Sequence, residues 1–127
     1  MKLIILAAGT GSRLKSYTKN NHKSLLELSN NETILGRLIY QFRKCGIKKI
    51  TIITGHKSNL IKKKFKKFAN IKFYKNYNKT NNLHTLLHFK RLMNNDDIVI
   101  SFSDVVTQES VIKNFLKKKK FEFLSRH

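Results

Sequence analysis

The sequence predicts an α/β fold built on a mainly parallel sheet. Three observations carry that expectation: apolar runs of strand length at 2–8, 50–54 and 97–102, amphipathic helix-length stretches between them, and a glycine or the pair Ser103-Asp104 directly behind each run. Runs that are apolar on both faces suit strands covered from both sides. Helices between such strands impose right-handed crossovers and parallel neighbours.

The first run, from Lys2 to Ala8, is bounded by Gly9 and reads as a buried strand. From Thr33 onward, Ile34, Leu35, Leu38, Ile39, Phe42 and Cys45 recur at helical spacing. Gly46 stands where a left-handed C-terminal cap is wanted. Ile50 to Thr54 is β-branched and apolar with Gly55 behind it, a second buried strand. Leu60, Ile61, Phe65 and Phe68 mark one face of a helix, and Lys62, Lys63, Lys64, Lys66 and Lys67 form its solvated face. Ile71 to Tyr74 reads as a short strand, 76–82 as a polar loop and Leu83 to Met93 as a helix. The apolar run 97–102 ends in Ser103-Asp104, and Val111, Ile112, Phe115 and Leu116 supply one more amphipathic helix. Phe65, Phe68 and Phe115 fall at core positions of these helices. Lys117 to Lys120 followed by Phe121 to Leu124 reads as a connection entering a further strand, so a larger domain cut short is expected.

The chain has 127 residues, enough for one domain over 1–127, and 40% of them are apolar, enough for a core. Lys and Arg number 27 against 7 Asp and Glu, a formal charge of +20 that attracts any polyanion, nucleic acid included. A basic nucleic-acid-binding module is therefore one class to weigh. Abundant Lys, Asn, Ile and Phe with no Pro, no Trp and few Ala is also what A+T-rich coding produces unaided, so nucleic acid is not the expected partner. No apolar run approaches the roughly 20 residues of a membrane span, and the N-terminus lacks the parts of a signal peptide. Cys45 alone forms no internal disulfide, and no Cys/His spacing suits zinc, which fits a reducing cytoplasm.

In a parallel sheet, ligands gather beyond the carboxyl ends of the strands, where the 9–13 loop, Gly55 and Asp104 fall. The segment Leu6-Ala7-Ala8-Gly9-Thr10-Gly11-Ser12-Arg13-Leu14 follows the first strand directly. Two glycines one residue apart allow a sharp turn and bring N–H groups close to a phosphate, and Arg13 adds a forked, permanent charge. A dinucleotide fingerprint needs glycine where Leu14 stands, and a Walker loop needs Gly-Lys-Ser/Thr, which is absent.

Ten residues after Arg13 stands Lys23, ahead of the short apolar stretch Ser24 to Leu28. The run from Met1 to Leu28 resembles the N-terminal signature of the sugar-nucleotidyltransferase superfamily: an apolar strand, Leu-Ala-Ala-Gly-x-Gly-x-Arg-Leu, a variable loop, then Pro-Lys. Here the loop is 15–21, and His22 holds the proline position. The segment from Asn76 to Leu86, with Thr80-Asn81-Asn82, is similar to one in the phosphocholine cytidylyltransferase branch, Thr85 replacing a serine. Ile100 to Val106 resembles the strand that delivers the family's metal-binding aspartate, here Asp104. The resemblance covers essentially the whole chain and matches the N-terminal half of a usual member.

That resemblance implies a Rossmann-like three-layer α/β/α sandwich of the nucleotide-diphospho-sugar transferase type. It also implies an activity, the transfer of a nucleotide, CMP from CTP, to a phosphorylated small alcohol or sugar such as phosphocholine, the Thr80-Asn81-Asn82 segment favouring the phosphocholine branch. Pyrophosphate is released, and the product serves cell-surface glycan synthesis. In this scheme main-chain groups of Leu6, Ala7, Ala8 and Gly9 read the base, and Gly9, Thr10, Gly11 and Ser12 hold the triphosphate. Arg13 binds the leaving pyrophosphate, Lys23 stabilises the α-phosphoryl group, Asn81 and Asn82 help select cytosine, and Asp104 binds Mg²⁺. The alternatives are a sugar-1-phosphate nucleotidyltransferase and an inactive truncated nucleotide-binding fragment. Two departures count against activity: His22 in place of proline, expected to loosen the aim of Lys23, and the absence of the half that carries a second metal-binding aspartate and the acceptor pocket.

Overall fold

The computed structural model describes residues 1–9, 22–29, 31–77, 82–93 and 97–117. Strand β1 is Lys2–Ala7, β2 is Glu27–Ser29 and β3 is Glu32–Thr33; helix α1 is Ile34–Lys44. Then come β4 (Lys49–Thr54), α2 (Ser58–Phe65), β5 (Asn70–Phe73), α3 (Asn82–His88), β6 (Ile98–Phe102) and α4 (Glu109–Lys117). Short 3₁₀ turns occupy Lys23–Leu25 and Lys90–Met93.

The main sheet runs β5-β4-β1-β6 and is parallel throughout, with Ile5 beside Ile52 on one side and Ser101 on the other. Alternation along β1 sets the two faces. Leu3, Ile5 and Ala7 join a core with Leu35, Leu38 and Phe42 of α1, Ile61 and Phe65 of α2 and Ile112 of α4. Ile4 and Leu6 join Ile53, Tyr74, Ile100 and Leu86 of α3 on the opposite face. The sheet is therefore covered on both sides, as its unbroken apolar strands require.

Helix α1 carries its own punctuation. Thr33 Oγ1 accepts from the Gly36 N–H at 3.0 Å, capping the start. At the end, Ile47 N–H reaches the Phe42 carbonyl and Gly46 N–H the Arg43 carbonyl, both at 3.0 Å, with Gly46 at φ 96°. This is a Schellman end, and its left-handed residue is the glycine that the sequence marks.

The structure departs from the sequence expectations in several places. Glu27–Ser29 and Glu32–Thr33 form a small antiparallel hairpin within and just after the expected apolar stretch. The expected helix over 83–93 tightens into 3₁₀ geometry near Phe89, whose N–H is shared between the Thr85 and Leu86 carbonyls at 3.3 and 3.1 Å. Leu60, Phe68 and Val111, expected in the core, are exposed. Phe68 lies beyond the end of α2, where Arg43 stacks over its ring at 5.9 Å from the centroid. The expected strand at 121–124 lies outside the described residues.

Candidate active site

The carboxyl ends of β1 and β6 leave the sheet together. Leu6 pairs with Phe102, and the Ser103 N–H donates to the Leu6 carbonyl at 3.0 Å, so Asp104 emerges beside 8–9. Asp104 is not the cap of a helix, since α4 opens only at Glu109. Lys23 comes to the same point from the 3₁₀ turn: its Nζ is 3.8 Å from Asp104 Oδ2. The amine also lies 3.2 Å from where a Cβ on Gly9 would stand, so the missing side chain is what lets it rest there. The two charged side chains are 16% and 18% exposed, which leaves their attraction less screened than that of a surface pair.

His22 fastens the turn that carries Lys23. It is 1% exposed and caps the turn, with extended backbone at φ −93°, ψ 145°. Its Nε2 is 3.0 Å from the Ala7 carbonyl, and its Nδ1 accepts from the Ser24 N–H at 3.1 Å and from Ser24 Oγ at 2.7 Å. A carbonyl only accepts, so the network assigns the proton to Nε2 and leaves the Nδ1 lone pair for Ser24. Burial pushes the His22 pKa from 6.5 down to about 4; the bond to Ala7 opposes this, and the neighbouring charge of Lys23 adds to it. Leu25, two residues after Lys23, is buried in the main core and anchors the other end of the turn. The expected loosening at this position is thus not what the structure shows: the chain before Lys23 is extended and tied by its side chain at both ring nitrogens.

The loop after Asp104 is held from α1. Arg37 Nη2 and Gln41 Nε2 both donate to the Thr107 carbonyl, at 3.1 and 2.8 Å. Gly55, at the end of β4, lies so close to Tyr77 that a Cβ there would collide with that side chain at its root. Tyr74 is buried beneath, and its N–H donates to the Thr54 carbonyl at 2.7 Å. The loop over 74–77 is thereby pressed against the carboxyl end of β4, on the other side of β1 from Asp104.

Of the residues the sequence singles out, Gly9, Lys23 and Asp104 are brought together. Leu6 and Ala7 end the central strand, and their carbonyls are engaged by Ser103 and His22; Ala8 is buried beside them. Thr10, Gly11, Ser12, Arg13 and Asn81 lie outside the described residues, and Asn82 opens α3. His22 and Ser24 are the contributors that sequence reasoning missed. The available signal was slight: a polar side chain two residues before a serine, at the start of a turn that ends in a core leucine.

As a metal ligand, Asp104 offers a hard carboxylate oxygen, and among the described residues no cluster of three His, Cys, Asp or Glu is present. A lone carboxylate does not build a calcium or zinc cage, but it suits Mg²⁺, which takes one or two carboxylates, keeps waters and fills its shell from phosphate oxygens. The Lys23 ammonium beside Asp104 is a cation at the place where such an ion would be drawn. Among the described residues, no helix is long and apolar enough to cross a membrane.

A sequence profile described as Nucleotidyl transferase matches residues 2–122. The chain belongs to that family. The CTP:phosphoglutamine cytidylyltransferase of Campylobacter jejuni is 32% identical over 94% of this chain and 49% of the relative. The choline-phosphate cytidylyltransferase of Haemophilus influenzae is 31% identical over 87% of this chain and 47% of the relative. Among solved structures, the CTP:phosphocholine cytidylyltransferase of Streptococcus pneumoniae matches with a TM-score of 0.73 and 30% identity, covering 81% of this chain and 44% of that one. The inositol-1-phosphate CTP transferase of T. maritima shares the fold, with a TM-score of 0.79 at 17% identity, covering 94% of this chain and 50% of that one. The chain spans about half the length of the curated relatives it matches.

Proposed function

We propose that this chain is the nucleotide-binding part of a cytoplasmic cytidylyltransferase. It transfers CMP from CTP to a phosphorylated small alcohol such as phosphocholine. The observation that carries the reading is the convergence of Lys23, Gly9 and Asp104 at the carboxyl end of β1, with Nζ and Oδ2 3.8 Å apart. The similarity to relatives named for CTP supports the choice of base.

In the reaction, a phosphate oxygen of the acceptor attacks the α-phosphorus of CTP, and the bond to the bridging oxygen of the β-phosphate breaks, releasing pyrophosphate. Charge on the α-phosphoryl group rises in transit, and an ammonium held in a half-buried site stabilises it more than water does. Lys23 supplies that ammonium, swinging from Asp104 to the phosphoryl oxygens that replace the carboxylate. Gly9 leaves room for both. Main-chain groups of Leu6, Ala7, Ala8 and Gly9, together with Asn81 and Asn82, read the base. Arg13, with Thr10, Gly11 and Ser12, holds the β- and γ-phosphates. Asp104 would hold Mg²⁺, which when bound neutralises and orients the triphosphate.

The test is product formation by this chain from CTP, UTP, ATP or GTP with phosphocholine, other phosphorylated alcohols or sugar 1-phosphates, at millimolar Mg²⁺. Release of pyrophosphate with CTP and a phospho-alcohol supports the reading. Turnover with a sugar 1-phosphate instead would move the acceptor class, and nucleotide binding without turnover would identify an inactive nucleotide-binding fragment. One observation favours a second reading, polyanion binding. A depression of about 480 Å³ at the opposite, amino end of the strands is lined by Lys2, Lys48, Lys49, Lys66 and Lys67. Binding there would fall steeply with salt and ignore the base.

A further inference from the structure

Lys23 has a long, flexible side chain, and its amine is useful only if the backbone from which it starts is fixed. That backbone begins a three-residue turn, and a tie from the turn to the strand that presents Gly9 fixes it. The tie is His22. One ring nitrogen donates to the carbonyl of Ala7, and the other accepts twice from Ser24 on the far side of Lys23. The ring thus links the last residue of β1 to both flanks of Lys23, and it does so fully buried. Gly9, against which the amine rests, is only two residues beyond Ala7.

We propose that His22 is a positioning residue. Its imidazole clasps the Lys23–Leu25 turn to the end of β1 and thereby sets the Lys23 amine over Gly9 and beside Asp104. The proposal rests on the reading that Lys23 acts on the transferred phosphoryl group, and it adds a specific bond, His22 to Ala7, as the part that positions.

Two substitutions separate this bond from capping and from packing. The amide of glutamine reaches the place of imidazole Nε2, so His22→Gln can keep the donation to Ala7 while losing the cap. The amide of asparagine reaches only the place of Nδ1, so His22→Asn can keep the cap to the Ser24 N–H while losing the clasp. Two readouts apply to each folded variant: kcat and KM for CTP, and the rate at which Lys23 is acylated by a lysine reagent, followed by mass spectrometry with the exposed Lys62–Lys64 as internal reference.

His22→Asn should lower kcat about tenfold or more with KM for CTP within about twofold, because a small misplacement of a reacting group acts on the chemical step. It should also raise Lys23 acylation several-fold. His22→Gln, which keeps the bond to Ala7, should leave Lys23 acylation near that of the wild type and well below that of His22→Asn. Unchanged Lys23 acylation in His22→Asn, or equal exposure of Lys23 in His22→Gln, overturns the proposal, as does a rise in KM at constant kcat. If His22→Asn does not fold, His22→Gln decides: Lys23 protected as in the wild type supports the bond to Ala7, and Lys23 exposed contradicts it. If the wild-type chain turns over no CTP, the functional reading fails by itself, and acylation still answers whether His22 positions Lys23.

Discussion

Acidification should destabilise the fold through His22, and the size of the effect follows from its surroundings. The ring is neutral and buried when folded, with a pKa lowered from 6.5 to about 4, whereas in the unfolded chain it takes up a proton near its ordinary value. The unfolded state therefore binds more protons between those two values, so the contribution of His22 is fully present above 6.5 and is lost as pH falls from 6.5 towards 4. The drop to about 4 corresponds to about 3 kcal/mol over the whole interval. About 2 kcal/mol of it is gone by pH 5. Against a typical stability of about 5–15 kcal/mol that is readily measured. Neighbouring groups act in both directions, Lys23 and His56 lowering the pKa and the Ala7 bond and Asp104 raising it, but burial is the largest cause. Urea unfolding at pH 7.5 and pH 5, for the wild type and His22→Gln, isolates the effect: carboxylates and the other histidines contribute to both proteins, and the variant should lose about 2 kcal/mol less on acidification. A variant as acid-sensitive as the wild type, or a His22 ring that titrates near 6.5 by NMR, would refute the reasoning.

Further predictions concern the same end of the sheet. Gly9→Ala places a methyl 3.2 Å from the Lys23 amine. The amine is a flexible end that yields, so stability should change by less than about 1 kcal/mol while kcat falls about tenfold, read by thermal melts beside a turnover assay. Gly55→Ala meets the root of the Tyr77 side chain, which cannot yield without moving the 74–77 loop. It should cost about 1–3 kcal/mol in urea unfolding. Lys23→Ala should reduce kcat about 100- to 1000-fold with CTP affinity within a few-fold, measured by single turnover and by titration calorimetry.

The strands and long helices were legible because each has to satisfy one strong pattern. β1 is buried on both faces and reads as an unbroken apolar run, and α1 shows its helical stripe and the glycine that ends it. The β2–β3 hairpin was not legible: its strands are two and three residues long, and Glu27, Leu28, Ser29 and Glu32 are exposed, so no burial pattern marks them. Phe68 and Val111 were misplaced because spacing alone does not say where a helix ends or how wide its buried stripe is. Gly9, Lys23 and Asp104 could be named from the resemblance of their segments to a family signature, but their meeting point depends on the β1–β6 register. The role of His22 was hidden for a related reason. A histidine in a polar stretch reads as solvated, and only the tertiary placement of the Ala7 carbonyl gives its buried ring a partner.

The most direct test of the central claim is the thermal midpoint of this chain with Mg²⁺ and, in turn, CTP, UTP, ATP, GTP and inorganic triphosphate at moderate salt. A base-selective nucleotide site predicts the largest rise with CTP. At about 100 times the dissociation constant, the stabilisation should be about 2.7 kcal/mol, or several degrees. That rise should shrink in Asp104→Asn. Equal rises with every polyphosphate, fading as salt increases, would contradict the account and leave only the attraction of a +20 chain for anions.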